Sequence, residues 1–200
     1  LVDEPMLFDL PHNKKWEPAN YNDEYMGPVV LKKALAKSLN IISAKLMFQV
    51  KPAGVIKTAR KFGFTSPLRE NFSLALGATG ASPLELASAY STIANLGEHI
   101  DPFYVSKIED YQGNILYEHF IEAEKRFEPE AVYPLLDMMQ GVMDNGSGKV
   151  VRRMGFKHPA AGKTGTTNAF RDAWFTGFTK DLTTSVWVGY DDNESMYRPN

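Results

Sequence analysis

Two short stretches of this chain carry residue types that hold anions and move protons. In Lys163-Thr164-Gly165-Thr166-Thr167 a cation stands among hydroxyls and a glycine, inside a segment that reads as a strand; in Ser38-Leu39-Asn40 a hydroxyl and an amide stand two positions apart. A strand lysine beside glycine is a poor choice for stability, because glycine loses the most entropy on ordering and packs nothing. The arrangement therefore predicts backbone that lies close to a ligand carrying negative charge. The Gly162-Lys163-Thr164 triplet suggests a phosphate loop, which needs G-x-x-x-x-G-K-[ST] between a strand and a helix. Lys157 occupies the place of the first glycine, and a loop and a strand follow Thr167, so the phosphate reading falls on both counts.

The elements that must position these groups follow from hydrophobic spacing. Over residues 28–40, Val30, Leu31, Ala34, Leu35 and Leu39 recur at helical intervals with Lys32, Lys33 and Lys37 opposite, and a second amphipathic stretch, 41–50, follows at once. Ser38 and Asn40 then fall at a junction between helices, where polar side chains can be aimed away from both helix bodies. A third helix has Pro52 in its first turn and Gly63 just past its end. Residues 73–81, small and apolar with Gly77 and Gly80, read as a tight loop. Ser82, Pro83 and Glu85 make a capping box for a helix that Gly97 closes, with Leu86, Tyr90, Ile93 and Ala94 inward. A hairpin is expected around Gln112-Gly113-Asn114.

Residues 129–145 read as a helix with Leu135, Leu136, Met139, Val142 and Met143 inward, and Pro134 either kinks it or marks its true start. Gly146-Ser147-Gly148 stops it, and Lys149, Arg152 and Arg153 read as a solvated turn. Two apolar runs, 173–179 and 183–190, joined by Lys180-Asp181-Leu182, predict an antiparallel hairpin beside the lysine strand. Trp174, Phe175, Trp187 and Tyr190 read as sheet packing, and Arg171-Asp172 as a surface pair. Residues 1–27 show neither period and read as an ordered but irregular surface arm.

Two hundred residues at 44% hydrophobic can bury a core, as one domain or a large piece of one. The 22 basic and 24 acidic residues leave a net charge of −2, which gives no electrostatic case for nucleic acid or an anionic membrane surface. With no cysteine, disulfides and thiolate metal sites are excluded, and His12, His99, His119 and His158 form no close ligand pair; neither a metal nor a cofactor is expected. No apolar run reaches the ~18 to 20 residues of a membrane span. Asp3 and Glu4 are unlike a signal peptide, and the absence of an initial methionine points to a piece of something longer.

Lys163-Thr164-Gly165 after Ser38-Leu39-Asn40 matches the order of the K-T-G and S-x-N boxes of serine acyl-transfer enzymes that act on penicillins or D-alanyl peptides, although the middle residue of the S-x-N is not acidic here. Each tripeptide alone is a weak signal; one at a helix junction and one on a strand before an antiparallel hairpin is a stronger one. Together with Leu31-Lys32-Lys33-Ala34-Leu35-Ala36-Lys37, Leu74-Ala75-Leu76-Gly77-Ala78, Ser82-Pro83-Leu84-Glu85-Leu86-Ala87-Ser88-Ala89-Tyr90 and Gly162-Lys163-Thr164-Gly165-Thr166-Thr167-Asn168, they make the chain from about Pro18 onward resemble the transpeptidase domain of class A penicillin-binding proteins. The continuation Asp172-Ala173-Trp174-Phe175 resembles class A more than class B enzymes or carboxypeptidases. One departure matters most. The S-x-x-K that carries the family's nucleophile is missing, since Ser43-Ala44-Lys45 and Ser147-Gly148-Lys149 are one residue too short. In the family that motif precedes the S-x-N, so it is expected upstream of Leu1, and the chain alone is expected to be inactive.

The resemblance implies an α/β (α+β) fold: an antiparallel sheet flanked by helices on both faces, incomplete at its N-terminal side. Residues 1–27 would be the arm, 28–148 mainly helical with a small hairpin near 102–118, and 159–190 the sheet strands. It implies a D,D-transpeptidase that cross-links peptidoglycan stem peptides through an acyl-enzyme and binds β-lactams, acting outside the cytoplasm without a cofactor. The parent would add a glycosyltransferase domain and a membrane anchor. Lys163, Thr164 and Thr166 are then the expected receivers of the substrate carboxylate. Gly165 lets the substrate add to the strand edge. The Thr166 N–H is the expected second oxyanion donor beside the missing serine. Ser38 is the expected proton relay to the leaving amine, and Asn40 the amide that holds the substrate backbone and the missing lysine. Taken singly, Ser38 and Asn40 read as helix caps and Lys163 as an edge-strand charge that discourages aggregation; the pairing of the motifs favours the site. A D,D-carboxypeptidase or β-lactamase carries the same boxes, and a non-catalytic module sensing β-lactams or wall peptides is an alternative of another class.

Overall fold

The computed structural model describes residues 1–167 and 170–197, the side chain of His12 excepted, so Asn168 of the motif lies outside the described residues. The N-terminal arm is more regular than its sequence predicts. Strand β1 (Val2–Asp3) pairs with β4 (Gly27–Pro28), and β2 (Phe8–Leu10) with β3 (Lys14–Trp16), all antiparallel. Strands of two or three residues are too short to display a period of two. Phe8, buried, stacks on Phe48 with ring centroids 4.4 Å apart, and Phe48 stacks on Phe72 at 4.2 Å, which fixes the arm to the helices.

Helices α1 (Leu31–Lys37), α2 (Asn40–Val50) and α3 (Pro52–Lys61) follow almost without a break. Leu39, between the first two, is buried with Val29, Ala34 and Ile42. Burying one such side chain is worth about 2 kcal/mol. It pins the junction, so the residues on either side of it cannot drift. The stretch 73–81, expected as loop, begins within a 3-10 turn, Phe72–Leu76, capped by the Asn71 side chain, which accepts from the Leu74 N–H. Helix α4 (Pro83–Ala94) has the capping box its sequence predicts, made by Ser82 and Glu85. Glu85 also accepts from the N–H and hydroxyl of Thr65 and of Ser66, tying the preceding loop to the helix start.

Two small ribbons follow, β5 (Glu98–His99) with β8 (Glu124–Lys125) and β6 (Lys107–Glu109) with β7 (Ile115–Glu118). Helix α5 (Pro129–Asn145) starts at Pro129 and carries Pro134 within it, so Pro134 does not mark the start. A short α6 (Val150–Arg153) leads into the sheet. Arg152, read as part of a solvated turn, instead clamps that passage: it donates to Asp144 at 2.9 Å and to the carbonyls of Phe156 and His158 at 3.1 and 2.6 Å.

Strands β9 (Ala161–Thr166), β10 (Asp172–Phe178) and β11 (Thr183–Gly189) form an antiparallel sheet in the order β11-β10-β9. Ala161 and Phe178, paired across β9 and β10, face Ile93 of α4 and Val132 and Met139 of α5, which is the larger core. On the other face of the sheet Val186 and Val188 are 47% and 56% exposed. The helices of the larger core, α4 and α5, pack on the face that carries Ala161 and Phe178. Trp174 and Trp187 pack across the strands with centroids 6.2 Å apart. Asp172 is not a surface partner of Arg171: it accepts from Trp187 Nε1 at 2.8 Å and from the Thr167 hydroxyl at 3.1 Å.

Candidate active site

The two chemistry-bearing stretches meet. Lys163 Nζ donates to Ser38 Oγ at 2.8 Å across a sequence separation of 125, and to the Thr164 carbonyl at 2.8 Å. Ser38 holds the left-handed conformation, φ 56° and ψ 47°, as the C-cap of α1. Glycine is the usual residue there, and another L-residue costs on the order of 1 kcal/mol. The serine is kept because its backbone ends one helix while Leu39, beside it, is buried and leads directly into the next. Its hydroxyl, accepting from the ammonium, keeps its own proton free to donate.

The end of α5 completes the cluster. Gly146 passes so close to α1 that a Cβ there would lie 2.2 Å from the Ala36 carbonyl oxygen, and the Ser147 N–H donates to that same oxygen at 2.9 Å. This contact sets the Ser147 hydroxyl 2.5 Å from that of Thr164. Three elements therefore converge on one polar spot: the end of α1 through Ser38, the end of α5 through Ser147, and β9 through Lys163 and Thr164.

β9 is an edge strand, bonded to β10 on one side only among the described residues. The Thr167 N–H donates to the Asp172 carbonyl in register with the β9–β10 ladder. Since backbone groups alternate along an antiparallel strand, the N–H groups of Thr164 and Thr166 turn to the free edge. Thr166 is exposed there. Gly165 has a packing reason as well as an edge role: a Cβ on it would stand 3.2 Å from the Cβ of Trp174.

Burial lowers the Lys163 pKa from 10.5 to about 8. Among the described residues no carboxylate lies within ion-pair distance of it. An ammonium desolvated without a counter-charge gains most from an anionic ligand. Such a ligand at the free edge of β9 would meet that ammonium, the threonine hydroxyls and outward N–H groups. Asn40 is placed less directly. As the first residue of α2 it donates from Nδ2 to the Ala19 carbonyl at 2.8 Å, and its N–H donates to Asn20 Oδ1 at 2.9 Å. Ser147 and Asn20 were not singled out from sequence as site residues; neither sits in a pattern with a spacing that announces it.

The fit of this geometry to known proteins is broad. The family model described as the penicillin binding protein transpeptidase domain matches residues 6–197. Penicillin-binding protein 1A of Aquifex aeolicus is 38% identical over 190 residues, covering 94% of this chain and 26% of that protein. The crystal structure of penicillin-binding protein 1A from Haemophilus influenzae superposes with a TM-score of 0.93 at 27% identity, covering 100% of this chain and 36% of the other. A structure of PonA1 from Mycobacterium tuberculosis in complex with penicillin V shares the fold, with a TM-score of 0.79 at 24% identity over 97% of this chain and 55% of that one. The chain spans about a quarter of the length of the first of these relatives.

Proposed function

This chain belongs to the penicillin-binding protein transpeptidase family, and from that premise we propose that it forms the substrate-binding half of a D,D-transpeptidase site whose serine nucleophile lies outside residues 1–200. The observation that carries the reading is the Lys163–Ser38 contact at the free edge of β9.

In this reading a stem peptide ending in D-Ala-D-Ala lies along β9 as an added strand, with Gly165 leaving the edge open. Its terminal carboxylate is received by the Lys163 ammonium and the hydroxyls of Thr164 and Thr166. The same groups receive the carboxylate of a β-lactam. The N–H of Thr166 stabilises the oxyanion as the upstream serine attacks the penultimate carbonyl; one such donor is worth about 3 kcal/mol of barrier. Ser38, with Lys163 donating to its oxygen, passes a proton to the departing D-alanine nitrogen. Asn40 holds the substrate backbone with the amide capacity that Ala19 leaves unused. An acceptor amine then resolves the acyl-enzyme and forms the cross-link, outside the cytoplasm.

The test is a transfer assay on the longer protein, with a stem-peptide donor and an acceptor amine. Cross-linked product that falls by about 100-fold or more in Ser38→Ala is expected for loss of a proton relay. Release of D-alanine without amine incorporation would identify a carboxypeptidase, and a protein that is not acylated by fluorescent penicillin at all would leave only a sensing role.

A further inference from the structure

We propose that Asn20, on the N-terminal arm, is a positioning residue: its carboxamide fixes the start of α2 and so holds Ser38 against Lys163. The inference rests on the reading of Ser38 and Lys163 as the polar centre of the site.

Helix α2 starts without a cap of its own. Leu39 is the N-cap residue and has no side chain able to accept a hydrogen bond, yet the first N–H groups of any helix need partners. Asn20 Oδ1 provides one from a distance, accepting from the Asn40 N–H at 2.9 Å and the Ile41 N–H at 3.4 Å. The other end of the amide is equally committed. Nδ2 donates to the two oxygens of Asp3 at 2.9 and 3.0 Å and to the Glu24 carbonyl at 2.9 Å. Asp3, 1% exposed, also accepts from the Met26 N–H at 2.9 Å, and Asn20 is 7% exposed. The neighbouring Ala19 carbonyl takes the Asn40 side chain.

The chemistry at this position is specific. The side chain must present an acceptor to a helix N-terminus and a donor to a buried carboxylate, and asparagine does both while staying neutral. An aspartate would set two carboxylates face to face; an apolar residue would leave Asp3 with the Met26 N–H alone and take the acceptor from the helix N–H groups. The consequence reaches the site through two residues. Ser38 sits in a strained left-handed conformation between the end of α1 and the anchored start of α2. Such strain persists only while both sides are held. Freeing the start of α2 lets Ser38 relax away from Lys163.

The experiment uses the 200-residue chain in three forms, Asn20→Ala, Asn20→Asp and the exchange Asp3→Asn/Asn20→Asp, and reads two quantities: the melting temperature and the titration of the Lys163 side chain by NMR, without ligand. A loosened Ser38 admits water to the ammonium, so in both single variants Lys163 is expected to titrate higher, by about one pH unit, toward ordinary lysine. The exchange restores a donor facing a carboxylate and an acceptor toward α2, with the loss of the donor to the Glu24 carbonyl, and is expected to return the titration toward the original. A lower melting temperature with an unmoved Lys163 titration would make Asn20 merely structural and overturn the proposal. If the single variants fail to fold, the exchange decides alone: recovered stability with a Lys163 titration still displaced would contradict it. Because no substrate enters, failure of the functional reading shows elsewhere, as undiminished ligand binding in Lys163→Met.

Discussion

Lys163 is the residue on which structure and chemistry disagree about what is favourable. Its pKa, held down to about 8 by burial, means the folded state disfavours the charged form. A lysine depressed in this way lowers stability below pH 8, and the cost is relieved as the pH rises toward the value of the unfolded chain. Lys163→Met is therefore expected to raise stability by about 1 to 3 kcal/mol at neutral pH, read from the midpoint of denaturant unfolding. The same substitution removes a charge-assisted contact and is expected to weaken binding of a carboxylate ligand by about 10- to 100-fold. Binding by the unsubstituted chain should be strongest below pH 8 and decline as Lys163 loses its proton, seen by calorimetry across that range; a flat profile would show that the charge is not used. The K-T-G box was legible because lysine and glycine are poor choices within a strand, whereas the S-x-N, ordinary by itself at a helix junction, became legible through its order with the K-T-G. Ser147 and Asn20 were not, because a hydroxyl after a helix end and an amide in an irregular arm become informative only once the chain has brought distant partners to them.

At the scale of elements, helix ends rather than helix bodies carry the site. Gly146 illustrates this: its conformation is open to any residue, with φ −108°, and the requirement is the close approach to Ala36. Gly146→Ala should push α5 away from α1 and cost about 1 to 3 kcal/mol, with a loss of ligand binding because Ser147 moves from Thr164; unchanged binding in a folded variant would place the coupling elsewhere. Glu85 governs another end. Burial pushes its pKa up, but the hydroxyl and N–H of Ser66 with the N–H groups of Thr65 and Ser82 outweigh that and hold it at about 2, below the ordinary 4.5. A carboxylate lowered on folding adds stability above pH 4.5 that is lost as the pH falls toward 2. Glu85→Ala is expected to flatten the acid limb of unfolding over that window and to cost about 1 to 3 kcal/mol at pH 7. The capping box was readable from Ser82, Pro83 and Glu85; the grip of Glu85 on Thr65 and Ser66 was not, since it joins residues 19 and 20 apart. Helices with a full apolar face were found by spacing, whereas the arm's short strands and the turn Phe72–Leu76 offered too few residues for any period to appear.

Over the whole molecule, the site lies where two separately packed bodies touch. One is the α1–α2 cluster around Leu39; the other is the sheet with α4 and α5 around Phe178. Contact between α1 and α5 brings them together, and the polar cluster sits at that seam. The sequence holds no serine with lysine three positions on, and the proposed nucleophile is for that reason sought outside residues 1–200. The measurement that bears most directly on this account is the intact mass of the 200-residue chain and of a longer form carrying the preceding residues, each after exposure to penicillin, with the acylated peptide identified. One acyl group is expected on the longer form, on a serine preceding Leu1, and none on the chain alone. A stable acyl adduct on Ser38, Ser147 or any other serine of this chain would contradict it.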